Sequence, residues 1–385
     1  MKTTALFCLG LLLVSGATLA AQTPGSCGVT KTTYVNWPQF HSDPCHTGYN
    51  ASESILSAAN VGKLVLDWKY DTGVEIDRSS PTVANGVVYI GDEVSGIYAL
   101  NAATGAKLWS FTTMGDEESA PAVANGVVYF GDGNNVDALN ATTGAQLWTA
   151  GTAGFVSFSP TVANGVVYVG SEDHKLYALN ALTGAQLWSY TTGDLLVSSP
   201  AVANGVVYVS SYDKNIYALN ALTGAELWSF ATGDEVASSP AVANGVVYVG
   251  SRDHNVYALN AVTGAKLWSF AAAGVVDSSP AVANGVVYFL SADGNVYALN
   301  ATTGATPKLW SFKAVYWGDS SPAVANGVVY VGTQDQHIYA LKAATGAELW
   351  SFTTGNAVRS SPAVANGMLY VGSGDGNLYA FHLPD

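Results

Sequence analysis

Residues 239–270 read SPAVANGVVYVGSRDHNVYALNAVTGAKLWSF, and close copies of this stretch recur along the chain. The proline of its Ser-Pro or Ala-Pro step recurs every 39 to 42 residues, at Pro81, Pro121, Pro160, Pro200, Pro240, Pro280, Pro322 and Pro362. A Leu-Trp or Asp-Trp step keeps the same rhythm, at Trp68, Trp109, Trp148, Trp188, Trp228, Trp268, Trp310 and Trp350. A fixed period near 40 residues is typical of architectures in which each copy is one supersecondary unit. Eight copies of the proline step and eight of the tryptophan step predict eight units.

One copy contains four short strands, named A to D. Strand A, Ser-Pro-Ala-Val-Ala, ends at Asn-Gly, the strongest hairpin signal because a type I′ turn needs positive φ at both positions. Strand B, Val-Val-Tyr-Val-Gly-Ser, is rich in β-branched and aromatic residues. A polar turn leads to strand C, Val-Tyr-Ala-Leu-Asn, and a Thr-Gly turn leads to strand D, Lys-Leu-Trp-Ser-Phe. Four strands per unit predict an all-β, eight-bladed β-propeller of four-stranded antiparallel blades.

The two ends of the repeat array complement each other. Leu64 to Tyr70 is a D strand with no A, B or C strand before it, whereas Ser361 to Leu383 supplies A, B and C strands with no D strand after them. We therefore expect the N-terminal strand to complete the last blade of a propeller that spans residues 63–385. This closure removes the exposed sheet edges that a linear array would leave.

The N-terminus has the features of an export signal. Lys2 precedes an apolar run from Ala5 to Val14, and small residues from Ala17 to Ala21 offer a cleavage site. The run is too short to span a bilayer. We therefore expect residues 1–21 to be a signal peptide, residues 22–62 to be an N-terminal extension, and the protein to be periplasmic or extracellular.

Cleavage would remove Cys8 and leave two cysteines, Cys27 and Cys45. In an oxidising compartment the default expectation is a disulfide between them. Lipidation of Cys27 is the alternative, although Pro24-Gly25-Ser26 before it fits that pattern poorly.

The charge balance excludes some partners. The net charge is −14, only 11% of residues are charged, and no Lys/Arg run occurs. These features argue against nucleic acid and anionic membrane surfaces as partners. No later segment has the length and apolarity of a transmembrane helix, and we expect a monomer.

The stretches Gly-Val-Val-Tyr-Val-Gly-Ser and Tyr-Ala-Leu-Asn-Ala-x-Thr-Gly-Ala-x-Leu-Trp resemble the PQQ-like repeat, and the resemblance covers residues 64 to 383. That family includes quinoprotein alcohol dehydrogenases and the outer-membrane assembly lipoprotein BamB. The resemblance implies that each repeat tryptophan docks on a neighbouring blade near a Thr-Gly turn, with Trp109 at Thr104-Gly105. The dehydrogenases carry an adjacent Cys-Cys pair and long pocket-building insertions. This chain has no such pair, and its largest insertion is two residues near Thr306-Pro307.

One face of the predicted ring is uniform. The A–B turn is Asn-Gly in all eight copies and the C–D turn is Thr-Gly in the seven that have one. Because successive strands are antiparallel, these turns share one face, which we name the constant face. The D–A connections and B–C turns lie on the other, the variable face, where a rigid scaffold would present function.

Most of the 28 acidic residues fall on the variable face, which predicts an acidic funnel mouth with an aromatic sector at Phe155, Phe158, Tyr316 and Trp317. The candidate binding residues are Glu75, Asp77, Arg78, Asp116, Glu117, Glu118, Phe155, Phe158, Asp234, Glu235, Tyr316, Trp317, Asp319 and Arg359. A simpler interpretation is solvated surface charge. The B–C aspartates in particular are expected to cap their own turns. Ca²⁺ needs several convergent oxygens, and Glu117 and Glu118 lack a calcium-loop pattern, so we predict no metal site.

These observations favour a non-catalytic binding or scaffold propeller in the cell envelope, with a protein partner and no cofactor. By resemblance, a BamB-like role in envelope protein assembly is one form of this. Two alternatives stay open: a dehydrogenase that uses PQQ with calcium, and an extracellular carbohydrate binder that uses Tyr316 and Trp317 as a stacking platform.

Overall fold

The computed structural model describes residues 35–94, 96–115, 119–304, 308–314 and 319–384. These residues form eight sheets, each with one four-stranded antiparallel blade, which confirms the predicted eight-bladed propeller. Two further elements precede the blades: β1 (Tyr49–Asn50) and a 3-10 helix, η1 (Val61–Lys63).

The blades are numbered in chain order, and their strands run from the channel outwards. Blade 1 contains β3 (Thr82–Ala84), β4 (Val87–Gly91), β5 (Ile97–Asn101) and β6 (Lys107–Phe111). Blade 2 contains β7 (Ala122–Ala124), β8 (Val127–Asp132), β9 (Asn135–Asn140) and β10 (Gln146–Gly151). Blade 3 contains β11 (Thr161–Ala163), β12 (Val166–Ser171), β13 (Lys175–Asn180) and β14 (Gln186–Thr191). Blade 4 contains β15 (Ala201–Ala203), β16 (Val206–Ser210), β17 (Asn215–Asn220) and β18 (Glu226–Ala231).

The second half of the ring repeats this order. Blade 5 contains β19 (Ala241–Ala243), β20 (Val246–Gly250), β21 (Asn255–Asn260) and β22 (Lys266–Ala271). Blade 6 contains β23 (Ala281–Ala283), β24 (Val286–Ser291), β25 (Asn295–Asn300) and β26 (Trp310–Lys313). Blade 7 contains β27 (Ala323–Ala325), β28 (Val328–Gly332), β29 (His337–Lys342) and β30 (Glu348–Thr353). Blade 8 contains β31 (Ala363–Ala365), β32 (Met368–Gly372), β33 (Asn377–His382) and β2 (Val65–Asp71).

Blade 8 joins the two ends of the chain. Strand β2 pairs antiparallel with β33, from Val65 opposite His382 to Asp71 opposite Asn377. The N-terminal D strand therefore completes the last blade, as the sequence predicts. Every hairpin at an A–B turn also follows the prediction, with positive φ at Asn and Gly, as at Asn244 and Gly245.

Each blade docks on the next through one backbone carbonyl. In blade 1, Trp109 Nε1 and the Tyr89 hydroxyl donate to the Ala141 carbonyl of blade 2, at 3.0 and 3.2 Å. The Trp109 ring lies against Gly144, where a Cβ would come within 2.8 Å of it. The expectation that Trp109 docks at Thr104-Gly105 is wrong, because Trp68 covers Gly105 and each tryptophan reaches forward to the following blade.

The junction between blades 7 and 8 departs from this pattern, because the N-terminal strand β2 supplies the D strand of blade 8 and this blade therefore has no C–D turn. Trp350 Nε1 donates instead to the Leu64 carbonyl just after η1, at 3.0 Å. The Tyr330 hydroxyl, which would share the missing carbonyl, is buried with no hydrogen-bond partner. The N-terminal segment therefore supplies a hydrogen-bond acceptor for Trp350 but none for Tyr330.

Residues 35–50, which we name the plug, run around the central channel. The N–H groups of the central valines in seven inner strands donate to plug acceptors at 2.6 to 3.1 Å. These pairs are Val83 with Trp37, Val123 with Pro38, Val162 with the Gln39 side chain, Val202 with Pro44, Val242 with Cys45, Val282 with Thr47 and Val324 with Gly48. In blade 8, Asn50 Nδ2 donates to the Val364 carbonyl at 2.8 Å. The plug thus satisfies inner sheet edges that would otherwise face the channel.

The plug lies toward the constant face. Its Asn36 side chain accepts the N–H of Asn85, and Val35 exchanges hydrogen bonds with the Asn366 side chain; both asparagines belong to A–B turns. Strand β1 adds to blade 7 by parallel pairing with β27. Cys45 is buried in the plug, whereas Cys27 lies outside the described residues, so the disulfide stays a prediction. No helix among the described residues has the length and apolarity needed to cross a membrane.

Candidate functional site: a blind cup on the variable face

The channel holds a cavity on the variable face, which we name the cup and which the plug borders from below. Phe40 of the plug forms its floor. The cavity holds about 730 Å³, including its open mouth. Its wall consists of residues just before the A strands and in two B–C turns: Arg78, Ser157, Phe158, Ser159, Ser199, Tyr212, Ala237, Ser239, Arg252, Asp277, Ser279, Asp319, Ser321, Arg359 and Ser361.

The serine before each strand-A proline builds a hydrogen-bonded ring around the cup. Each hydroxyl oxygen accepts a backbone N–H from the preceding blade, as Ser239 does from Ser199 and Ser279 does from Ser239, at 2.9 and 3.0 Å. Ala120 of blade 2 interrupts the ring because it has no hydroxyl. The ring explains why this serine is repeated: it ties neighbouring blades together at the channel.

The residue three positions before each strand-A proline changes from blade to blade. In the described blades it is Arg78, Ser157, Val197, Ala237, Asp277, Asp319 and Arg359. Blade 3 differs further, because Phe158 replaces a serine that the other seven blades have. These differences concentrate at the cup, where one side carries charge and the other carries small or apolar side chains.

The charged side chains of the cup are paired with each other. Arg252 Nη1 lies 2.6 Å from Glu235 Oε2, and its Nε lies 3.2 Å from Asp277 Oδ1. The Arg252 guanidinium also lies over the Tyr212 ring, 4.8 Å from its centroid. Arg359 donates through Nη1 to Asp77, and its Nε lies 4.0 Å from Asp319 Oδ2. Burial raises the pKa of Asp319, while Arg78 and Arg359 oppose that rise.

The structure brings only some of the predicted site residues together. Arg78, Phe158, Asp319 and Arg359 line the cup, and Asp77 and Glu235 bind its arginines. Three others lie on the variable face outside the cup lining: Glu75, Phe155 and Asp234. Asp116, Glu117, Glu118, Tyr316 and Trp317 lie outside the described residues. The described lining holds three arginines beside two aspartates, and the acidic mouth stays a prediction because Asp116, Glu117 and Glu118 are not among the described residues.

Sequence reasoning did not select Phe40, Tyr212, Arg252 or Asp277. Phe40 belongs to a segment without repeats, so nothing in the sequence placed it under the channel. Tyr212 and Arg252 differ from the residues at the same position in the other repeats, and Asp277 matches only Asp319 there. Such variation could have indicated site residues. A position that varies among near-identical repeats is not constrained by the packing that keeps the other positions the same.

The B–C aspartates cap their own turns, as the sequence predicts. Asp253 Oδ1 accepts the N–H of Asn255 at 3.0 Å, and its Oδ2 accepts the Tyr257 hydroxyl at 2.6 Å and the Gly233 N–H at 2.7 Å. Burial raises the pKa of Asp253, but the hydrogen bonds from Tyr257 and Gly233 outweigh it and the pKa is lowered. These aspartates are structural.

Blade 2 is the exception to this capping. Asp137 stands where the other seven blades have tyrosine, and it faces Asp132 rather than donating a hydroxyl to it. Its Oδ2 accepts from Gln146 Nε2 at 3.0 Å, and its Oδ1 is buried without a partner. Burial and, to a smaller degree, the neighbouring Asp132 raise the pKa of Asp137.

The described residues do not fit a calcium ion with a quinone. Ca²⁺ takes 6–8 oxygen ligands, usually with several carboxylates. In the cup, Asp277 lies against the Arg252 guanidinium, and Asp319 lies between Arg78 and Arg359. No group of three or more His, Cys, Asp or Glu side chains suited to a metal occurs in the described part of the chain.

Comparison with known families gives one match that spans the propeller. The model of the family described as outer membrane protein assembly factor BamB matches residues 52–154, 132–239, 213–315 and 307–383. Curated relatives match shorter parts. The quinohemoprotein alcohol dehydrogenase of Comamonas testosteroni is 32% identical over 80 residues, which cover 20% of this chain and 11% of the relative. The quinoprotein alcohol dehydrogenase PedE of Pseudomonas putida is 33% identical over 117 residues, which cover 26% of this chain and 18% of the relative. The chain thus spans less than a fifth of these relatives.

Solved structures share the fold. BamB from Moraxella catarrhalis superposes with a TM-score of 0.72 at 19% identity, covering 83% of this chain and 99% of that one. The quinohemoprotein alcohol dehydrogenase from Comamonas testosteroni gives 0.79 at 18% identity, covering 91% and 82%. At such identities the likeness concerns the fold alone.

Proposed function

Because the chain belongs to the family of outer membrane protein assembly factor BamB, we propose that it is a non-catalytic binding propeller of the cell envelope that holds a protein partner on its variable face. The observation that carries this proposal is the distribution of sequence differences. Eight near-identical repeats build the ring, and their differences concentrate around the cup.

The two faces differ in what they can offer a partner. The constant face presents the same Asn-Gly and Thr-Gly turns in blade after blade, and the plug occupies its channel end. A repeated surface gives a partner no unique position. The variable face presents a different side chain from each blade, held on a rigid ring, which is how scaffolds present specific binding residues.

Exposed acids on the variable face supply charge complementarity. Asp194 is exposed, and Asp234 is half exposed with a partner, Lys214, at 3.0 Å. The hydrogen bond from Lys214 lowers the pKa of Asp234, so its carboxylate is charged at neutral pH. A partner with a basic contact surface fits these side chains, and such charges chiefly set the association rate and the orientation.

Two charge-reversed proteins test the proposal. The first carries Asp194→Lys and Asp234→Lys on the variable face. The matched control carries Glu226→Lys and Glu348→Lys, both exposed at the start of D strands, where blades 1, 5 and 6 already have lysine. Both change the net charge equally. We expect capture of envelope partners to be lost only in the first protein, and equal capture by both would refute the proposal.

The quinoprotein relatives favour one other candidate, a PQQ-dependent dehydrogenase. The paired arginines and aspartates of the cup oppose it, and no reaction step is assigned. Adding PQQ and Ca²⁺ and following dye-linked alcohol oxidation decides between the two. The binding proposal predicts no oxidation and no change in the quinone absorbance.

A further inference from the structure

We infer that the cup binds a neutral sugar, with hydroxyl groups held by its Arg–Asp pairs and serines and with a C–H face on its aromatic floor. This inference rests on the proposed function in one respect, that the variable face is the binding face. It adds a ligand class that is distinct from the protein partner on the loops above.

The charge pairs of Arg252 and Arg359 in the described lining select against a charged ligand. Arg252 already holds Glu235 and Asp277, and Arg359 already holds Asp77 near Asp319. A ligand charge entering the cup would either break one of these pairs or stay uncompensated in a partly buried site, and both are costly. A neutral ligand leaves the pairs intact.

The paired groups still have hydrogen-bonding capacity. A guanidinium has five N–H donors, and a carboxylate has about four lone-pair sites. Arg252 uses Nε and Nη1 for carboxylates, which leaves Nη2. Ser239 and Ser279 each accept a backbone N–H and retain the hydroxyl proton to donate. Donors and acceptors without net charge suit a polyhydroxylated ring.

The opposite side of the cup carries aromatic rings among its serines. Phe40 forms the floor, stacked on His41 with ring centroids 4.4 Å apart, and Phe158 and Ala237 form the wall beside it. Aromatic rings among a few placed polar groups are typical of small-molecule sites. The C–H face of a pyranose matches this wall, and its hydroxyl edge matches the charged side.

Phe158 gives the sharpest test because the protein contains its own control. Seven blades have serine at this position, so Phe158→Ser restores the repeat and is expected to fold. Phe155 lies three residues earlier on the same connection, is 50% exposed and is not part of the lining. Phe155→Ser therefore removes an aromatic ring from the same loop without touching the cup.

The experiment is calorimetric titration of the full chain with D-glucose, D-galactose and D-mannose, and with the uronate and the 2-amino sugar of each as charged analogues. We expect at least one neutral sugar to bind, its charged analogue to bind at least tenfold more weakly, Phe158→Ser to weaken binding at least tenfold, and Phe155→Ser to leave it unchanged. No binding by any neutral sugar, tighter binding of the charged analogues, or full binding by Phe158→Ser overturns the inference. If sugars fail while Asp194→Lys with Asp234→Lys still abolishes partner capture, the ligand class is wrong and the proposed function stands.

Discussion

The two ends of the central channel are made from the same eight inner strands but are finished differently. At the constant-face end, plug acceptors bind the inner-strand valine N–H groups of seven blades, six through backbone carbonyls and one through the Gln39 side chain. At the variable-face end, the side chains before each strand differ from blade to blade and surround an open cup. The difference separates two uses of one repeat: identical positions hold the ring together, and unlike positions are available for binding.

The largest stability effect should come from the closed end. Trp37 is 2% exposed and packs in a core cluster shared with blades 1, 7 and 8. Trp37→Ala keeps the backbone pairing with Val83 but removes the ring, so we expect a loss of about 3–5 kcal/mol in the free energy of unfolding. Denaturant unfolding measures it. Leu182→Ala, at a residue 85% exposed, is the control and should cost less than about 0.5 kcal/mol. A Trp37→Ala cost as small as the control would show that the plug does not support the ring.

Acid should loosen the plug next. Burial lowers the pKa of His41 to about 4 and the pKa of His46 well below its ordinary value. The folded state then binds fewer protons than the unfolded chain between pH 4 and 6.5, so these groups make stability rise with pH across that window. Burial raises the pKa of Asp43 to about 6, which makes stability fall with pH and so opposes the two histidines. Because one group opposes two, we expect the effect of the histidines to be larger. Unfolding curves from pH 4 to 7 should be less pH-dependent in His41→Phe. An unchanged slope would contradict the burial argument.

Blade 2 offers a test in which stability increases. Asp137→Tyr restores the residue of seven other blades, supplies a hydroxyl to Asp132 and removes a buried oxygen without a partner. We expect a gain of about 1–3 kcal/mol at pH 7. The pKa of Asp137 is raised in the folded protein, so the ionised carboxylate destabilises the fold once the pH rises through that pKa. In acid the carboxyl is protonated, and the stability gained by Asp137→Tyr should therefore be smaller. A loss of stability at pH 7 would show that the hydrogen bond from Gln146 compensates for burial of the carboxyl.

The smallest effect compares two blade junctions. Tyr208 donates to the Ala261 carbonyl at 3.0 Å, whereas the Tyr330 hydroxyl at the junction of blades 7 and 8 has no partner. Tyr208→Phe should cost about 1 kcal/mol, and Tyr330→Phe should be neutral or stabilising. Thermal unfolding of both proteins measures the difference. Equal costs would mean that the shared carbonyl contributes nothing to the junction.

Much of the ring could be predicted because each signal occurs many times. The Asn-Gly turns, the Trp period and the unmatched D strand at Leu64–Tyr70 each correspond to one feature of the propeller. The plug could not be predicted, because residues 35–50 have no repeat and their partners in the ring are 46 to 331 residues away. The forward direction of Trp109 was also missed, since the sequence period fixes spacing but not which neighbouring blade a side chain reaches.

The site was predicted to the level of a face but not of a cavity. Arg78, Phe158, Asp319 and Arg359 were selected as irregular residues, and they share the cup. Arg252 joins them from a B–C turn because its side chain spans to Glu235 and Asp277, a reach that spacing alone does not reveal.

Site-specific photo-crosslinking in the envelope tests the separation of the two faces most directly. A photoreactive residue replaces Asp194 on the variable face in one protein and Glu226 near the constant face in another; both positions are exposed in blade 4 or its preceding connection. We predict protein adducts from position 194 and none from position 226. Adducts from position 226 alone, or equally from both, would contradict the claim that the unlike positions of the repeat carry the binding function.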